Sequence, residues 1–154
     1  MNDNQLFAFE DDFVTTLRCI PMAVRLKLDR SGIKLTLRQW SRFTHADRQA
    51  LLDAPCRTPA EVAAYRERLV ELVALRAKEA ARSLAEPPAP IWECAMATPP
   101  AVTSFAKSVG VAPPSTRAWG ELTELQRFAL IKLTRDNHDN VNFVPAMREF
   151  GLVA

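Results

Sequence analysis

The chain writes one phrase twice. WSRFTHADRQAL fills residues 40–51, and WGELTELQRFAL fills residues 119–130, 79 residues further on. Trp, Thr, Arg, Ala and Leu hold the same places in both. The flanks also align: Pro21-Met-Ala-Val24 with Pro99-Pro-Ala-Val102, and Gly32-Ile33 with Gly110-Val111. Each copy predicts a helix ending at glycine, a short turn that carries Trp, and a second helix opened by Thr. Glycine takes the left-handed conformation at a helix end without a side-chain clash. Thr123 with Gln126 has capping-box spacing, and Thr44 with Asp47 is a weaker version of it. Such repetition predicts an all-α fold: one compact helical domain over residues 1–154, in two pseudo-repeated halves of about 19–84 and 99–154. Trp40 and Trp119 are then structural anchors at equivalent elbows. Arg48 and Arg127 occupy matching helix positions in apolar surroundings. A guanidinium there closes a buried ion pair or bonds loop carbonyls.

Between the halves lies AEPPAPIWECAMATPP, residues 85–100, with five prolines. Proline removes helix donors, so an extended connector is expected. Before it, Thr58 to about Leu84 reads as the clearest helix. Thr58 caps, Pro59 suits the first helical position, and Glu61 completes a capping box. Val62, Tyr65, Leu69, Leu72 and Val73 fall on one stripe. Residues 24–37, VRLKLDRSGIKLTL, alternate apolar and polar on both sides of DRSG, which is also a hairpin pattern. The matching stretch AVTSFAKSVGVAPP lacks that alternation, so helix is preferred for Met22 to Ser31, with a short β-hairpin around residues 24–37 as the alternative. Leu125 to Leu133 is apolar nearly all round and reads as a central helix that stops near Asp136-Asn137. Pro145 is expected to open a short last helix ended by Gly151.

The bulk numbers exclude more than they assign. With 154 residues, 48% apolar and 25% charged, the chain suits one soluble globular domain. No apolar run approaches the roughly 20 residues of a membrane helix. The acidic start MNDNQLFAFEDDF lacks the features of a secretory signal. Cys19, Cys56 and Cys94 are widely spaced and form no CxxC, which fits a reduced, cytoplasmic setting. The net charge is +2, yet eight Lys/Arg and only two acids lie between Arg18 and Arg48. That stretch either faces a polyanion or is a solvated face; the aromatic interleaving of a nucleic-acid stacking platform is missing.

Few residues invite catalysis. His45 and His138 lack the close ligands a zinc site needs, so no metal is expected. No nucleophile elbow, phosphate loop or HExxH motif occurs. Cys19 lies beside Arg18, and a neighbouring cation favours thiolate. The commoner fate of a free Cys is a buried small apolar residue. RDNHDNVNF, residues 135–143, gathers Asp136, Asn137, Asp139, Asn140 and Asn142 around His138. Such side chains bond nearby backbone and shape a turn, or they form a polar recognition loop.

In LRCIPMAVRLKLDRSGIKL and LQRFALIKLTRDNHDNVNF the chain resembles the nitrate reductase-associated proteins of bacteria and cyanobacteria. FEDDF, both Trp elbows and the closing FVPAMREFGL extend the resemblance over most of the chain outside the connector. The resemblance implies a non-catalytic accessory role beside assimilatory nitrate reductase, a molybdenum and iron–sulfur enzyme, with help in its maturation or cofactor loading. It supplies no catalytic residues and no cofactor of the chain's own. The candidate partner-binding residues are Arg18, Cys19, Arg135, His138, Asn140, Asn142 and Phe143. Two further expectations stand beside it: a thiol- or cofactor-binding protein using Cys19 and the His138 loop, and a nucleic-acid-binding helical module.

Overall fold

Helix starts govern this chain, and side chains of Thr and Ser make most of them. In the computed structural model, which describes residues 3–10, 16–86, 89–135 and 140–154, four capping boxes close. Thr36 with Gln39 opens α2 (Leu37–Arg42), and Thr44 with Asp47 opens α3 (His45–Asp53). Thr58 with Glu61 opens α4 (Pro59–Leu72), and Thr123 with Gln126 opens α7 (Glu124–Leu133). In each, the hydroxyl accepts from the third helical N–H and the acidic or amide side chain accepts from the cap's own N–H. Each such cap contributes about 1 kcal/mol. Ser115 caps α6 (Thr116–Glu121) by accepting from Ala118 N. α1 (Met22–Ser31), α5 (Pro100–Ser108) and α8 (Phe143–Glu149) have no side-chain cap from their own N-cap residue. For α1 the deficit is met from a distance: the buried Glu10 carboxylate accepts from Met22 N at 2.9 Å. Negative charge at that helix end also complements the macrodipole.

The chain is mainly α-helical and divides into two compact units. One comprises the described residues of spans 2–6 and 10–88, the other Phe7–Phe9 with Ala89–Ala154. In the first unit α1 packs on α4, with α3 also against α1. Val24 and Leu26 of α1, Trp40, Leu51, Tyr65, Leu69 and Val73 are buried in its core. Each fully buried aliphatic side chain stabilises by about 1.5–3 kcal/mol. In the second unit α7 is central, packed by the Ile91–Glu93 turn, α5 and α8. Leu125, the run Phe128–Ile131 and Leu133 on it are all buried. Trp92 meets Phe128 edge-on at 5.2 Å, and Phe105 meets Phe143 at 4.8 Å. Phe7 packs edge-on against Phe150 at 5.0 Å, while the Glu149 carboxylate accepts from Ala8 N and Phe9 N.

Met22–Ser31 is helical, and Gly32 ends it in the left-handed region at φ 70°. The hairpin alternative for residues 24–37 is overturned. β1 (Ile33–Lys34) does form, but its antiparallel partner is β2 (Arg82–Ser83), in register Ile33 with Ser83 and Lys34 with Arg82. No other ladder occurs among the described residues. The helix expected from Thr58 to about Leu84 is shorter. After Leu72 it widens into a π-turn over Val73–Ala77, and Lys78 turns left-handed at φ 58°. Tertiary bonds override the helical propensity of ALRAKEAAR. Arg76 Nε reaches Asp47 at 2.8 Å, Glu79 takes Arg38 and Gln39, and Arg82–Ser83 pair with β1. The proline-rich stretch is not merely an extended connector either. Ile91–Glu93 makes a turn of 3-10 helix that buries Trp92. The last helix begins at Phe143, two residues before Pro145, with Gly151 left-handed just after it. α7 ends at Leu133; Asp136 and Asn137, where a stop was expected, lie outside the described residues.

Candidate functional site

The two Trp elbows repeat one device. Trp40 and Trp119 are each fully buried at matching positions of α2 and α6. Trp40 Nε1 donates to Leu17 O at 2.8 Å, and Trp119 Nε1 donates to Cys94 O at 3.1 Å. The arginine eight positions after each Trp bonds backbone carbonyls. Arg48 donates to Leu17 O, Trp40 O and Ser41 O, at 3.3, 3.2 and 3.1 Å. Arg127 donates to Trp92 O at 2.6 Å and Leu122 O at 2.5 Å. Each elbow thus ties an irregular segment to a helical pair. The copies differ where Ser41 stands opposite Gly120. A Cβ on Gly120 would come within 2.9 Å of Ala95 O, so the backbone of the proline-rich stretch needs glycine there.

These bonds shape the approach to Cys19. Leu17 is buried with a left-handed φ of 54°, a conformation that costs a non-glycine residue about 1–2 kcal/mol. Its carbonyl is held from two sides by Trp40 and Arg48. The next residues are then delivered outward: Arg18 is exposed and Cys19 half-buried. In the second unit, Arg135 is exposed, and Asn140 and Asn142 are half-buried in a 3-10 turn beside the exposed Val141. Phe143 is fully buried against Phe105, so it supports this turn from beneath and offers no surface of its own. His138, with Asp136, Asn137 and Asp139, lies outside the described residues. The structure places Arg18 and Cys19 in one unit and Arg135, Asn140, Asn142 and Phe143 in the other.

A second cluster escaped the sequence reading. Lys27 is buried, and its ammonium donates to Leu52 O at 2.6 Å, Ala54 O at 2.7 Å and Asn4 Oδ1 at 3.0 Å. All three of its N–H groups are used, at the carboxyl end of α3 where a cation is favoured. Burial pulls its pKa below the usual lysine range, and the charges of Cys56 and Asp3 work against that. The Lys27 ammonium lies 6.0 Å from the centre of the Tyr65 ring, and the Tyr65 hydroxyl donates to Leu51 O at 2.8 Å. Cys56 sits beside them, its thiol facing Lys27 O at 3.8 Å. The signal was present: Ala23, Lys27 and Ser31 are spaced four apart and share the buried helix face.

Next to this cluster a half-open cleft of about 370 Å³ separates α3 from α4. Ala50, Ala54 and Pro55 line it from α3 and the turn after it, and Glu61, Ala64, Tyr65 and Arg68 line it from α4. Among the described residues, no group of three or more His, Cys, Asp or Glu side chains is placed to hold a metal ion. No helix among them is long and apolar enough to cross a membrane.

A family model described as conserved nitrate reductase-associated protein matches residues 6–150. The chain belongs to this family. The match takes in both Trp elbows, the α3–α4 cleft and the Asn-rich turn. The description associates the family with nitrate reductase. No curated protein and no solved structure gave a match. For this nitrate reductase-associated chain, the reading as a nucleic-acid module loses three of its eight cations. Lys27 and Arg48 direct their charge at backbone carbonyls, and Arg38 pairs with Glu79 at 3.3 Å.

The cysteines divide by environment, with a measurable consequence. Cys94 is exposed, Cys19 half-buried and Cys56 buried. Burial pushes the Cys56 thiol from 9.0 up to about 11. Between those values the unfolded chain releases a proton that the folded chain keeps. Stability present below pH 9 is therefore lost as pH rises towards 11. The loss is expected to reach about 3 kcal/mol, at about 1.4 kcal/mol per pKa unit. Tyr65, raised by burial, acts in the same direction, and Lys27 in the opposite one. Comparing the pH dependence of urea unfolding for the natural chain and Cys56→Val isolates the thiol. Thiol titration of the folded protein is expected to modify Cys94 first and Cys56 only on unfolding.

Proposed function

We propose that the chain is a non-catalytic, cytoplasmic accessory protein for assimilatory nitrate reductase, which assists the enzyme's maturation or cofactor loading by direct protein contact. The observation that carries this reading is the family match over residues 6–150. The side-chain chemistry supports it. Arg127, Arg48, Lys27, Tyr65, Glu10 and Glu149 all direct polar atoms at backbone groups of their own unit. Those groups build the scaffold, and what remains for function is surface. Arg18 and Cys19 after the strained Leu17, and Arg135, Asn140 and Asn142 around the last turns, are our proposed contact residues, with His138 between them in sequence.

Deleting the gene and purifying the reductase from nitrate-grown cells tests the proposal. We expect the reductase polypeptide to accumulate with its molybdenum and iron well below the full complement, and nitrate-dependent growth to slow. A fully loaded, fully active reductase in the deletion strain overturns the reading.

A further inference from the structure

We propose that the cleft between α3 and α4 is the anchor pocket for the partner, and that its occupant is one large apolar side chain on a peptide segment that carries a carboxylate close by. This rests on the accessory reading above, so the segment belongs to the reductase.

The pocket's chemistry selects that occupant. Ala50, Ala54, Pro55, Ala64 and Tyr65 make most of its lining apolar. The polar groups near it are already committed. The Tyr65 hydroxyl is bound to Leu51 O, and Glu61 accepts from Arg57 N and Thr58 N at the start of α4. A small polar ligand needs several convergent hydrogen-bonding groups to orient it. This cleft is lined mainly by apolar groups, with Glu61 and Arg68 its charged members, so it suits an apolar side chain presented by another protein. Interfaces concentrate their energy in such pockets, where an anchor is fully desolvated.

Arg68 supplies the charge preference. Other arginines on or next to α4 have partners. Arg57 forms an ion pair with Asp3, Arg66 donates to Ser31 O and Ser83 Oγ, and Arg76 reaches Asp47. Arg68 is exposed and, among the described residues, has no hydrogen bond or ion pair. An unpaired guanidinium at the lip of an apolar cleft is complementary to a carboxylate flanking the anchor, and Arg holds a carboxylate with two parallel N–H groups.

The test uses the full chain and purified apo-nitrate reductase, with affinity measured by titration calorimetry at low and physiological salt. Ala64→Trp fills the cleft from an exposed position, and Arg68→Glu reverses the lip charge without entering the core. Circular dichroism and thermal unfolding establish that each variant is folded. We expect each to bind at least tenfold more weakly than the natural chain, with the Arg68→Glu defect shrinking as salt rises. Unchanged affinity in both folded variants, with the natural chain binding, overturns the anchor pocket and leaves the accessory reading standing. If the natural chain itself does not bind, the direct-contact reading falls and the pocket's assigned occupant with it.

Discussion

Cutting Trp119 back to alanine is expected to destabilise its unit by about 3–5 kcal/mol, and Trp40→Ala should do the same in the other. Both indoles are fully buried, so truncation opens a cavity that the surrounding helices only partly refill. A second contribution is the hydrogen bond each indole gives to a carbonyl, Leu17 O or Cys94 O. Trp→Phe at each site separates the two. It keeps most of the ring and removes the N–H, and should cost about 1–2 kcal/mol. Whole domains are stable by only about 5–15 kcal/mol, so either alanine variant sits near the edge of folding. Trp40→Ala has a further readout. Without the indole, the left-handed Leu17 loses one of the two donors holding its carbonyl, and the adjacent Cys19 should react faster with thiol reagents. Urea unfolding of the full chain, followed by circular dichroism and hydrogen exchange, checks these values. A loss below about 1 kcal/mol for both alanine variants would sink the view that the doubled phrase encodes two anchors.

That phrase was legible because it consists of local signals. A Thr or Ser cap, a Trp one turn on, and a left-handed glycine act within a few residues of themselves. Thr58, Thr123 and Thr44 open helices where the sequence placed them, and Gly32 and Gly110 both have positive φ. The Thr36–Gln39 box is equally local. What the pattern did not reveal depends on long-range partners. The helix after Thr58 leaves its regular course at Val73, and the reasons lie at Asp47, Arg38 and Ile33. Trp92 sits in a proline-rich stretch that local rules read as a connector. Its burial depends on Phe128 and Arg127, 36 and 35 positions away. The candidate site shows the same division. Lys27 is a charged residue on a buried helix face, and only the fold reveals that the end of α3 supplies its acceptors. Arg68 reads as one more solvated cation until its neighbours are seen to be paired.

Arg127→Met is expected to destabilise the second unit by about 3 kcal/mol. Arg127 is 6% exposed and bonds two carbonyls, Trp92 O and Leu122 O. Hydrogen bonds from a charged group contribute about 1.5–3 kcal/mol each, and a buried carbonyl left without a donor costs about 1–3 kcal/mol. Part of this is returned, because the guanidinium is itself desolvated; burial pulls its pKa below the usual arginine range. Methionine fills much of the same volume, so the change reports the bonds more than a cavity. With a urea slope near 2 kcal/mol/M, the midpoint should fall by about 1.5 M. Arg127→Lys keeps the charge but not the fork, and one ammonium on a flexible stem should recover only part of the loss. Arg48→Met is the internal comparison. Arg48 is half-buried and one of its acceptors, Ser41 O, belongs to an exposed residue, so water can replace the lost donor and the cost should stay near about 1 kcal/mol. The two arginines therefore share a position in the repeat but differ in consequence. Of the two, only Arg127 bonds the turn that buries Trp92 against the central helix. If Arg127→Met proves no more damaging than Arg48→Met, and Trp92 fluorescence stays that of a buried indole, apolar packing with Phe128 holds that turn and the guanidinium clamp does not.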